Sequence, residues 1–258
     1  MTDPQSPHRP LLSIVVPALN EQENVGPLVE QIKRAVVEPD RGGGIDAELI
    51  VVDDGSNDAT LERLTELAGQ YPWLRVLHRR RTMGQSATMF AGIHAARGRF
   101  VATLDADLQN DPADLPKLLE HLRHNQADLV QGDRSANRRD NLVRRVSSWV
   151  GQTTRKLILS DPIRDTGCST RVLTADLARQ LPLQFAGMHR FIPHYARMIG
   201  ATIIEIPVNH RPRRAGVAKY GVFNRGLVGL CDCFAVRWMT KRYRDTTAAA
   251  PPNRKTPS

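Results

Sequence analysis

Short apolar runs, separated by segments of helical spacing, dominate the first hundred residues. The runs are rich in β-branched side chains and cover residues 11–16, 48–52, 75–78 and 99–104. Such runs are typical of strands buried on both faces, as in a parallel sheet. The intervening helical segments cover residues 25–36, 59–68 and 86–96. Strands that alternate with helices predict an α/β fold with a mostly parallel, doubly wound sheet.

The strand predicted from the first run is expected to stop at Pro17. In the second half of the chain, the sequence pattern predicts fewer regular elements. These are a helix over 114–125, a strand over 127–132, a long helix over 141–159 and a strand over 202–208. A chain of 258 residues can form one Rossmann-like domain with a sizeable core. We place that domain at 11–215 and an amphipathic helical segment at 216–245. The ends, 1–10 and 246–258, hold too few apolar side chains to offset their ordering entropy and are expected to be disordered.

The compartment is predicted from cysteines and apolar segments. Three cysteines without CxxC spacing are typical of a reducing environment. The N-terminus has no charged leader followed by an apolar stretch, so no signal peptide is expected. Residues 226–239 are interrupted by Asp232 and Arg237 and are shorter than the roughly 20 residues that span a bilayer. We therefore expect a cytoplasmic protein without a transmembrane helix.

Polar side chains follow three of the apolar runs directly. They are Asn20, Glu21, Asp53, Asp54, Asp105 and Asp107. In open α/β sheets, ligands bind beyond the carboxyl ends of the strands. The sequence therefore predicts that these side chains surround one ligand site.

Asp105 and Asp107 are separated by one residue, so both carboxylates point to one side if the chain stays extended. They can then share one cation, with Gln109 as a third oxygen ligand. Mg²⁺ and Mn²⁺ prefer such ligands. A polar turn after a strand is the alternative explanation for this triplet.

Asp53 and Asp54 also have two explanations. Their carboxylates can accept hydrogen bonds from a nucleobase or a ribose. Alternatively, one of the polar residues at 53–58 caps the helix that begins near Thr60.

Glycine-rich phosphate loops are missing from the sequence. It contains neither GxGxxG after the first run nor GxxxxGK[ST], which argues against a dehydrogenase or a P-loop enzyme. Basic side chains would have to bind phosphates instead, and candidates follow two predicted strands: Arg134, Arg211, Arg213, Arg214 and Lys219. The net charge of +9 favours an anionic partner, although solubility alone also explains it.

Four motifs, taken in order, resemble those of a known family. They are Ser-Ile-Val-Val-Pro-Ala-Leu-Asn-Glu at 13–21, Val-Val-Asp-Asp-Gly-Ser at 51–56, Asp-Ala-Asp-Leu-Gln at 105–109 and Asp-Thr-Gly-Cys at 165–168. Over residues 11–240 the chain resembles family 2 glycosyltransferases of the GT-A fold. It is most similar to polyprenyl-phosphate sugar transferases, typified by dolichol-phosphate mannosyltransferase and bacterial undecaprenyl-phosphate glycosyltransferases. The resemblance implies an inverting, metal-dependent transfer of a sugar from a UDP- or GDP-sugar to a polyprenyl phosphate.

The resemblance also implies roles for individual residues. The nucleotide-sugar pocket would be lined by Pro17, Asn20, Glu21, Asp53, Asp54, Gly84, Asp105 and Ala106. Mg²⁺ or Mn²⁺ would be held by Asp105, Asp107 and Gln109. Donor and acceptor phosphates would be bound by Arg134, Arg211 and Lys219. Asp165 matches a position near the acceptor, where it is either catalytic, together with Asp105 and Asp107, or a structural aspartate in a turn.

The sequence departs from the family pattern at two places. Ala218-Lys219-Tyr220 stands where Ser-Lys is common, and Cys168-Ser169-Thr170 stands where glycine and an aromatic residue are common. A hydroxyl acceptor in cell-envelope glycan or glycolipid synthesis is therefore the alternative. A phosphate acceptor, with a second pKa of about 6, is mostly dianionic at neutral pH and needs no strong base. A hydroxyl acceptor would need a carboxylate base, for which Asp165 is the candidate.

Two segments predict contact with an anionic membrane surface, at its cytoplasmic face. Apolar residues between 142 and 158 have near-helical spacing, with Arg144, Arg145, Arg155 and Lys156 beside them. A second contact would come from Leu227, Leu230, Phe234 and Trp238. Core packing with a basic outer face is the alternative. The sequence leaves open whether the chain has a membrane-protein partner and whether it forms a homo-oligomer.

Two functions of other classes are alternatives to sugar transfer. A nucleic-acid-binding module would explain the charge but leaves the acidic strand ends without a role, so nucleic acid is not an expected partner. A catalytically inactive protein of the same fold is the other, and the intact Asp105-x-Asp107 argues against it.

Overall fold

The computed structural model describes residues 8–39, 43–135, 153, 155–211 and 222–244. The strands in these residues are β1 (Leu12–Ala18), β2 (Ala47–Asp53), β3 (Leu74–His78), β4 (Phe100–Thr103), β5 (Leu129–Asp133), β6 (Arg171–Thr174) and β7 (Ile203–Pro207). The helices are α1 (Val25–Ile32), α2 (Thr60–Gln70), α3 (Gln85–Ala95), α4 (Asp114–His124), α5 (Ala175–Gln180), α6 (Ile192–Met198) and α7 (Val222–Arg242). A wider helical turn, Lys33–Val37, continues α1, and a 3₁₀ turn, Met188–Phe191, precedes α6.

The strands form one mostly parallel sheet in the order β3-β2-β1-β4-β6-β5-β7. β6 alone among the described strands runs antiparallel to its neighbours β4 and β5. The carboxyl ends of the other strands therefore share one edge with the beginning of β6. The predicted doubly wound α/β fold is confirmed.

Both faces of the sheet are covered, because neighbouring residues of each central strand point to opposite sides. In β1, Ile14 and Val16 pack with α1, α2 and α4. Val15 packs on the other face, with side chains of α3, α5 and α6. Cys233 and Val236 of α7 also belong to this second layer.

The prediction that β1 stops at Pro17 is wrong, since the strand continues through Pro17 to Ala18. Pro17 and Ala18 pair with Val52 and Asp53 of β2. On the other side, pairing with β4 ends at Val15. Ala18 O accepts from Asp54 N, so Pro17 faces the side where the ladder has ended. The missing amide hydrogen of proline therefore costs no sheet hydrogen bond.

The other predicted elements that fall on described residues lie within a few residues of the observed ones. β6, α5 and α6 were not predicted, because elements of four, six and seven residues are too short to show a periodicity. The predicted long helix over 141–159 falls mostly outside the described residues, of which 155–159 are helical. Residues 1–7 and 245–258 also lie outside them, so the predicted disorder of the ends stays a prediction. No helix in the described parts of the chain is long and apolar enough to cross a bilayer.

Candidate active site

The loops that follow β1, β2 and β4 meet at the carboxyl edge of the sheet, as expected. Ala18 pairs with Asp53, so β1 and β2 end level, whereas β4 ends at Thr103, opposite Val15, and the chain continues from there to Asp105. Asn20 joins two of these loops. Its N donates to Ser56 Oγ (2.8 Å), and its Oδ1 accepts from Asn57 N (2.9 Å). The predicted residues are thus brought to one place by the topology.

Asp105 and Asp107 follow β4, but the chain does not stay extended there. Residues 106 and 107 form a turn, and Leu108 has φ 61°. Asp107 is 9% exposed, and its neighbours Ala106 and Leu108 are buried in the core at 4% and 5% exposure. The i, i+2 spacing alone therefore does not place the two carboxylates on one side, and a cation shared between them stays a prediction. Asp107 Oδ1 also accepts from Gln109 N (3.2 Å), so the polar turn considered as an alternative is present as well.

Both oxygens of Asp105 accept hydrogen bonds from side chains of other loops. Gln85 Nε2, at the start of α3, donates to Oδ1 (2.9 Å), and Ser169 Oγ donates to Oδ2 (2.7 Å). Ser169 Oγ in turn accepts from Asn110 Nδ2 (2.7 Å). Asp105 is therefore held in one orientation from two sides.

The electrostatics around Asp105 favour a cation. Burial raises the pKa of Asp105, and the charge of Asp107 raises it further. The hydrogen bond from Ser169 and the charges of Arg134 and Arg171 lower it, without restoring the ordinary value. Two carboxylates that oppose each other's ionisation are stabilised by a shared positive charge.

The donor atoms at this position suit a hard divalent ion, since the carboxylates of Asp105 and Asp107 and the amide of Gln109 all offer oxygen. Gln109 is half-buried, and its Nε2 makes a long contact with Arg211 O (3.5 Å). No group of three or more His, Cys, Asp or Glu that could hold a metal occurs within the described ranges.

Asp53 and Asp54 are buried and bonded to the protein itself. Asp53 accepts from Ser56 Oγ and from Ser56 N (3.3 Å), and its Oδ2 lies 2.8 Å from His78 Nδ1. Asp54 accepts from Met83 N (3.0 Å) and Gly84 N (2.8 Å). Asp54 therefore fixes the segment that leads into α3.

Two glycines allow this arrangement. Gly84 has φ 88° and precedes α3 directly. Gly55 has φ 77°, and a Cβ there would lie 3.0 Å from Arg81 C. The loops after β2 and β3 can therefore pack against each other only with a glycine at position 55.

Asp58 lies beside the start of α2 but is not its N-cap residue, which is Ala59 and makes no side-chain cap hydrogen bond. Asp58 Oδ1 accepts from Thr60 N (3.0 Å) and Thr60 Oγ1 (2.5 Å). Burial acts to raise the pKa of Asp58, but these hydrogen bonds outweigh it and lower the pKa. Asp58 thus holds the first residue of α2, and the binding of a nucleobase or ribose by Asp53 and Asp54 stays a prediction.

Glu21 and Pro17 are the remaining residues predicted to line the nucleotide-sugar pocket. Glu21 N donates to Thr60 Oγ1 (2.8 Å), and Glu21 Oε2 accepts from Asn24 Nδ2 (2.6 Å). Pro17 lies in β1 itself. The roles of these residues toward a ligand stay predictions.

Arg134 and Asp165 form a two-pronged ion pair. Arg134 Nε donates to Asp165 Oδ2 (2.7 Å), Arg134 Nη2 donates to Oδ1 (3.0 Å), and Arg134 N also donates to Oδ2 (3.2 Å). The side chains are 12% and 5% exposed. Burial acts to lower the pKa of Arg134, but Asp165 outweighs burial and raises it. The guanidinium is therefore held by Asp165 just beyond the end of β5.

Arg211 lies beside the loop that carries Asp105, since Arg211 N donates to Gln109 O (2.8 Å). Its guanidinium pairs with Asp111 and donates to Gln31 Oε1 (2.9 Å). A phosphate contact by Arg211 stays a prediction. Lys219 lies outside the described residues.

Sequence reasoning missed Gln85, Asn110 and Arg171, and it noted Ser169 only as a departure from the family pattern. Arg171 begins β6 and is 2% exposed. It donates to His189 O (3.2 Å) and to Cys168 O, and burial lowers its pKa to about 10. Gln85, Ser169 and Arg171 lie far along the chain from Asp105, so no spacing pattern could have identified them. Asn110 is close in sequence, but it reaches Asp105 only through Ser169.

Known sequences similar to this chain include enzymes named for polyprenyl phosphates. A dodecaprenyl-phosphate galacturonate synthase of Rhizobium johnstonii is 42% identical over 216 residues, 82% of this chain and 62% of that protein. An undecaprenyl-phosphate 4-deoxy-4-formamido-L-arabinose transferase of Pectobacterium atrosepticum is 35% identical over 211 residues, 81% of this chain and 62% of that protein. The chain thus spans less than two thirds of the length of these relatives.

Solved structures share the fold. Glucosyl-3-phosphoglycerate synthase from Mycobacterium tuberculosis with Mn²⁺, UDP and glucosyl-3-phosphoglycerate superposes with a TM-score of 0.65 at 20% identity, over 92% of this chain and 82% of that one. The complex of that enzyme with Mg²⁺ and UDP gives a TM-score of 0.64 at 20% identity, over 92% and 81% of the two chains. At this identity the likeness shows the GT-A type of fold.

The sequence model of the family described as glycosyl transferase family 2 matches residues 13–181. The matched part begins in β1 and extends past α5, so it includes Asp53, Asp105 and Asp165. With two thirds of its length inside this match, the chain belongs to the family 2 glycosyltransferases.

Proposed function

We propose that the chain transfers a sugar from a UDP- or GDP-sugar to a polyprenyl phosphate, with inversion at the anomeric carbon and with Mg²⁺ or Mn²⁺ as cofactor. The observation that carries the proposal is Asp105, which is oriented from two sides and lies close enough to Asp107 and Arg134 for their charges to act on its pKa. The two relatives named above support the acceptor, since both are named for polyprenyl phosphates.

The metal would be held by Asp105, Asp107 and Gln109. Mg²⁺ is commonly bound through one or two carboxylates, with substrate phosphates among its other ligands. The complexes of the structural neighbour with Mn²⁺ or Mg²⁺ and UDP support such an ion. When bound, it would neutralise the charge of the leaving diphosphate.

The chain's own residues would position the two substrates. The pocket for the nucleotide-sugar would be lined by Pro17, Asn20, Glu21, Asp53, Asp54, Gly84 and Ala106. Arg134 would orient the acceptor phosphate, with Arg211 and Lys219 as further cations. The acceptor oxygen would attack from the face opposite the nucleotide, which inverts the configuration.

The pairing of Asp165 supports a phosphate acceptor over a hydroxyl acceptor. Both of its oxygens accept hydrogen bonds from Arg134, so taking up a proton would break a buried ion pair. A phosphate acceptor does not require that step, because it is already ionised at neutral pH. We therefore assign Asp165 to holding Arg134.

A lipid acceptor places the reaction at a bilayer. We propose that the chain works as a peripheral protein at the cytoplasmic face of a membrane.

The test is a donor panel. Purified protein is incubated with UDP- and GDP-sugars and polyprenyl phosphate, with and without Mn²⁺, and the lipid-linked sugar is measured. We expect one donor to react only with metal, and Asp105→Asn to lower the rate by a factor of 100 or more, in the range of about 10²–10³ seen for lost transition-state stabilisation. Glu120→Gln, which removes an exposed carboxylate from α4, is the matched control. Failure of every donor, together with no nucleotide binding, would contradict the proposal.

A further inference from the structure

Exposed apolar side chains are concentrated on α7. Among the described residues, seven large apolar side chains are exposed, and four of them belong to this helix. They are Val228 (56%), Leu230 (38%), Phe234 (57%) and Trp238 (62%). Exposed apolar groups that gather on one surface mark an interaction site, whereas single ones do not.

α7 has a buried side and an outer side. Cys233 and Val236 are 7% and 0% exposed and pack in the core. Leu230, Phe234 and Trp238 follow each other at intervals of four residues, which places them together on another side of the helix. We call these three residues the outer face of α7.

The helix is fixed to the body of the protein, so the outer face has a defined direction. Thr240 Oγ1 lies 2.9 Å from His194 Nε2, and Tyr195 Oη lies 3.5 Å from Met239 Sδ. Arg237 also donates to Ile158 O. The residue before Ile158 is Leu157, which is 76% exposed, so a further apolar side chain lies next to α7.

Basic side chains lie around this surface. Arg237, Lys241 and Arg242 are exposed residues of α7, and Arg242 lies over the Trp238 ring, 5.7 Å from its centroid. Lys156 is exposed beside Leu157. The acidic residue of α7, Asp232, is half-buried and faces Gly187. Within the described part of the chain, the outer face therefore combines apolar side chains with exposed positive charge.

We propose that the outer face of α7 binds an anionic phospholipid bilayer, with the helix lying in the plane of the headgroups. Leu230, Phe234 and Trp238 would enter the acyl boundary, and Lys241 and Arg242 would contact lipid phosphates. A protein partner fits less well, because lysine is depleted at protein interfaces, whereas Lys156 and Lys241 are both exposed beside this surface. The proposal deepens the proposed function by naming the surface that meets the lipid, and it rests on that function only for the presence of a bilayer.

Flotation of the full chain with vesicles tests the proposal without any substrate. The vesicles contain phosphatidylcholine alone or with phosphatidylglycerol. We expect the protein to float with the anionic vesicles. The double variant Phe234→Gln/Trp238→Gln should lower the partition coefficient by about 100-fold, at roughly tenfold for each large apolar side chain removed. Lys241→Gln/Arg242→Gln should lower it by about 25-fold on anionic vesicles only, at roughly fivefold for each cation.

Lys117→Gln/Arg123→Gln removes two exposed cations from α4, on the opposite face of the sheet, and should leave flotation unchanged. Wild-type protein that stays in the soluble fraction, or variants that float like the wild type, would overturn the proposal. A wild-type dimer without lipid that the Phe234→Gln/Trp238→Gln variant abolishes would instead assign the face to a second copy. Sugar transfer to a detergent-dispersed polyprenyl phosphate should persist in every variant, so failure of the proposed function would be seen separately.

Discussion

Asp105 shows how much of this site depends on single side chains from distant segments. Its hydrogen-bond donors, Gln85 and Ser169, lie 20 and 64 residues away in the sequence. The position of Asp105 at a strand end could be predicted, because strand ends follow from local apolar runs. Its hydrogen-bond donors could not, because they depend on the order of strands in the sheet.

Ser169 is the residue where this chain departs from the family pattern, and its role is testable. Ser169→Ala removes the donor to Asp105 Oδ2, so the carboxylate loses one constraint on its orientation. Loss of such a supporting hydrogen bond typically weakens metal binding by about 10- to 100-fold. Titration of Mn²⁺ into the UDP-bound protein by calorimetry measures this. Thr65→Ala, which removes an exposed hydroxyl from α2, should bind Mn²⁺ like the wild type.

Asp165 and Arg134 should behave as one unit. Asp165→Asn leaves a buried guanidinium without its charge partner, which should lower the free energy of unfolding by about 3–5 kcal/mol. Denaturant unfolding measures the change. If the pair acts together, Arg134→Gln/Asp165→Asn will cost clearly less than the sum of the single variants. Additive losses would show that the two side chains act independently.

At the scale of elements, Glu48 joins β1, β2, β3 and the end of α3 at the amino edge of the sheet. Its oxygens accept from Ser13 Oγ (2.6 Å), Arg97 N (2.7 Å) and Arg75 Nη1 (2.8 Å). Burial acts to raise the pKa of Glu48, but these contacts outweigh burial and lower it below its ordinary value of 4.5. The ionised carboxylate therefore stabilises the fold above about pH 4.5, and this contribution is lost as the pH falls through the lowered pKa.

Glu48→Gln should accordingly be less stable than the wild type at neutral pH, by about 1–3 kcal/mol. The difference should shrink as the pH falls from about 4.5 through the lowered pKa of Glu48, because the wild-type carboxylate then becomes protonated. Urea unfolding at neutral pH and at a pH below that pKa measures it, with Glu120→Gln as the control. An equal difference at both pH values would contradict the assignment of the effect to the charge.

The packing of α3 on the sheet requires a glycine. A Cβ at Gly92 would lie 2.4 Å from Val15 Cγ1 and 3.0 Å from Val52 Cγ2. Gly92→Ala should therefore lower the free energy of unfolding by about 1–3 kcal/mol, as overpacking does. Gly69→Ala in α2 has open space around it and should instead raise that free energy, by up to about 1 kcal/mol. Denaturant unfolding of both variants checks the opposite signs.

Some strands could be predicted from the sequence and others could not, and the difference has physical reasons. The strands up to β4 are buried apolar runs, so composition alone marks them. The strand end predicted at Pro17 was wrong because a proline interrupts a sheet only where the backbone N–H of that position would donate to a neighbouring strand. Whether it would do so depends on the neighbouring strand, which the local sequence does not show. β6 has only four residues and begins with a charged residue, Arg171. The buried position of Arg171 is understandable only from its hydrogen bonds to His189 O and Cys168 O, which the sequence does not reveal.

At the scale of the whole molecule, the proposed function predicts linked binding of metal and nucleotide. UDP or GDP with Mn²⁺, at about one hundred times the Kd, adds about 2.7 kcal/mol to the stability of the folded chain. For a chain of this size that is a rise in Tm of roughly 5–10 °C. Differential scanning fluorimetry should show this rise with both ligands and only a small rise with either alone. EDTA should abolish it, and a rise unaffected by EDTA would argue against metal dependence.

Because β6 runs in the reverse direction, its beginning lies at the same sheet edge as the ends of β2 and β4. Asp53 and Asp105 reach the site from segments that follow β2 and β4, whereas Asp165 and Ser169 reach it from a segment that precedes β6. Under the proposed function, the donor half comes first in the sequence and the acceptor half second, and both meet at one edge. Recombination between relatives within α4 would therefore exchange acceptor preference while keeping the donor, which makes this family suited to building hybrid enzymes.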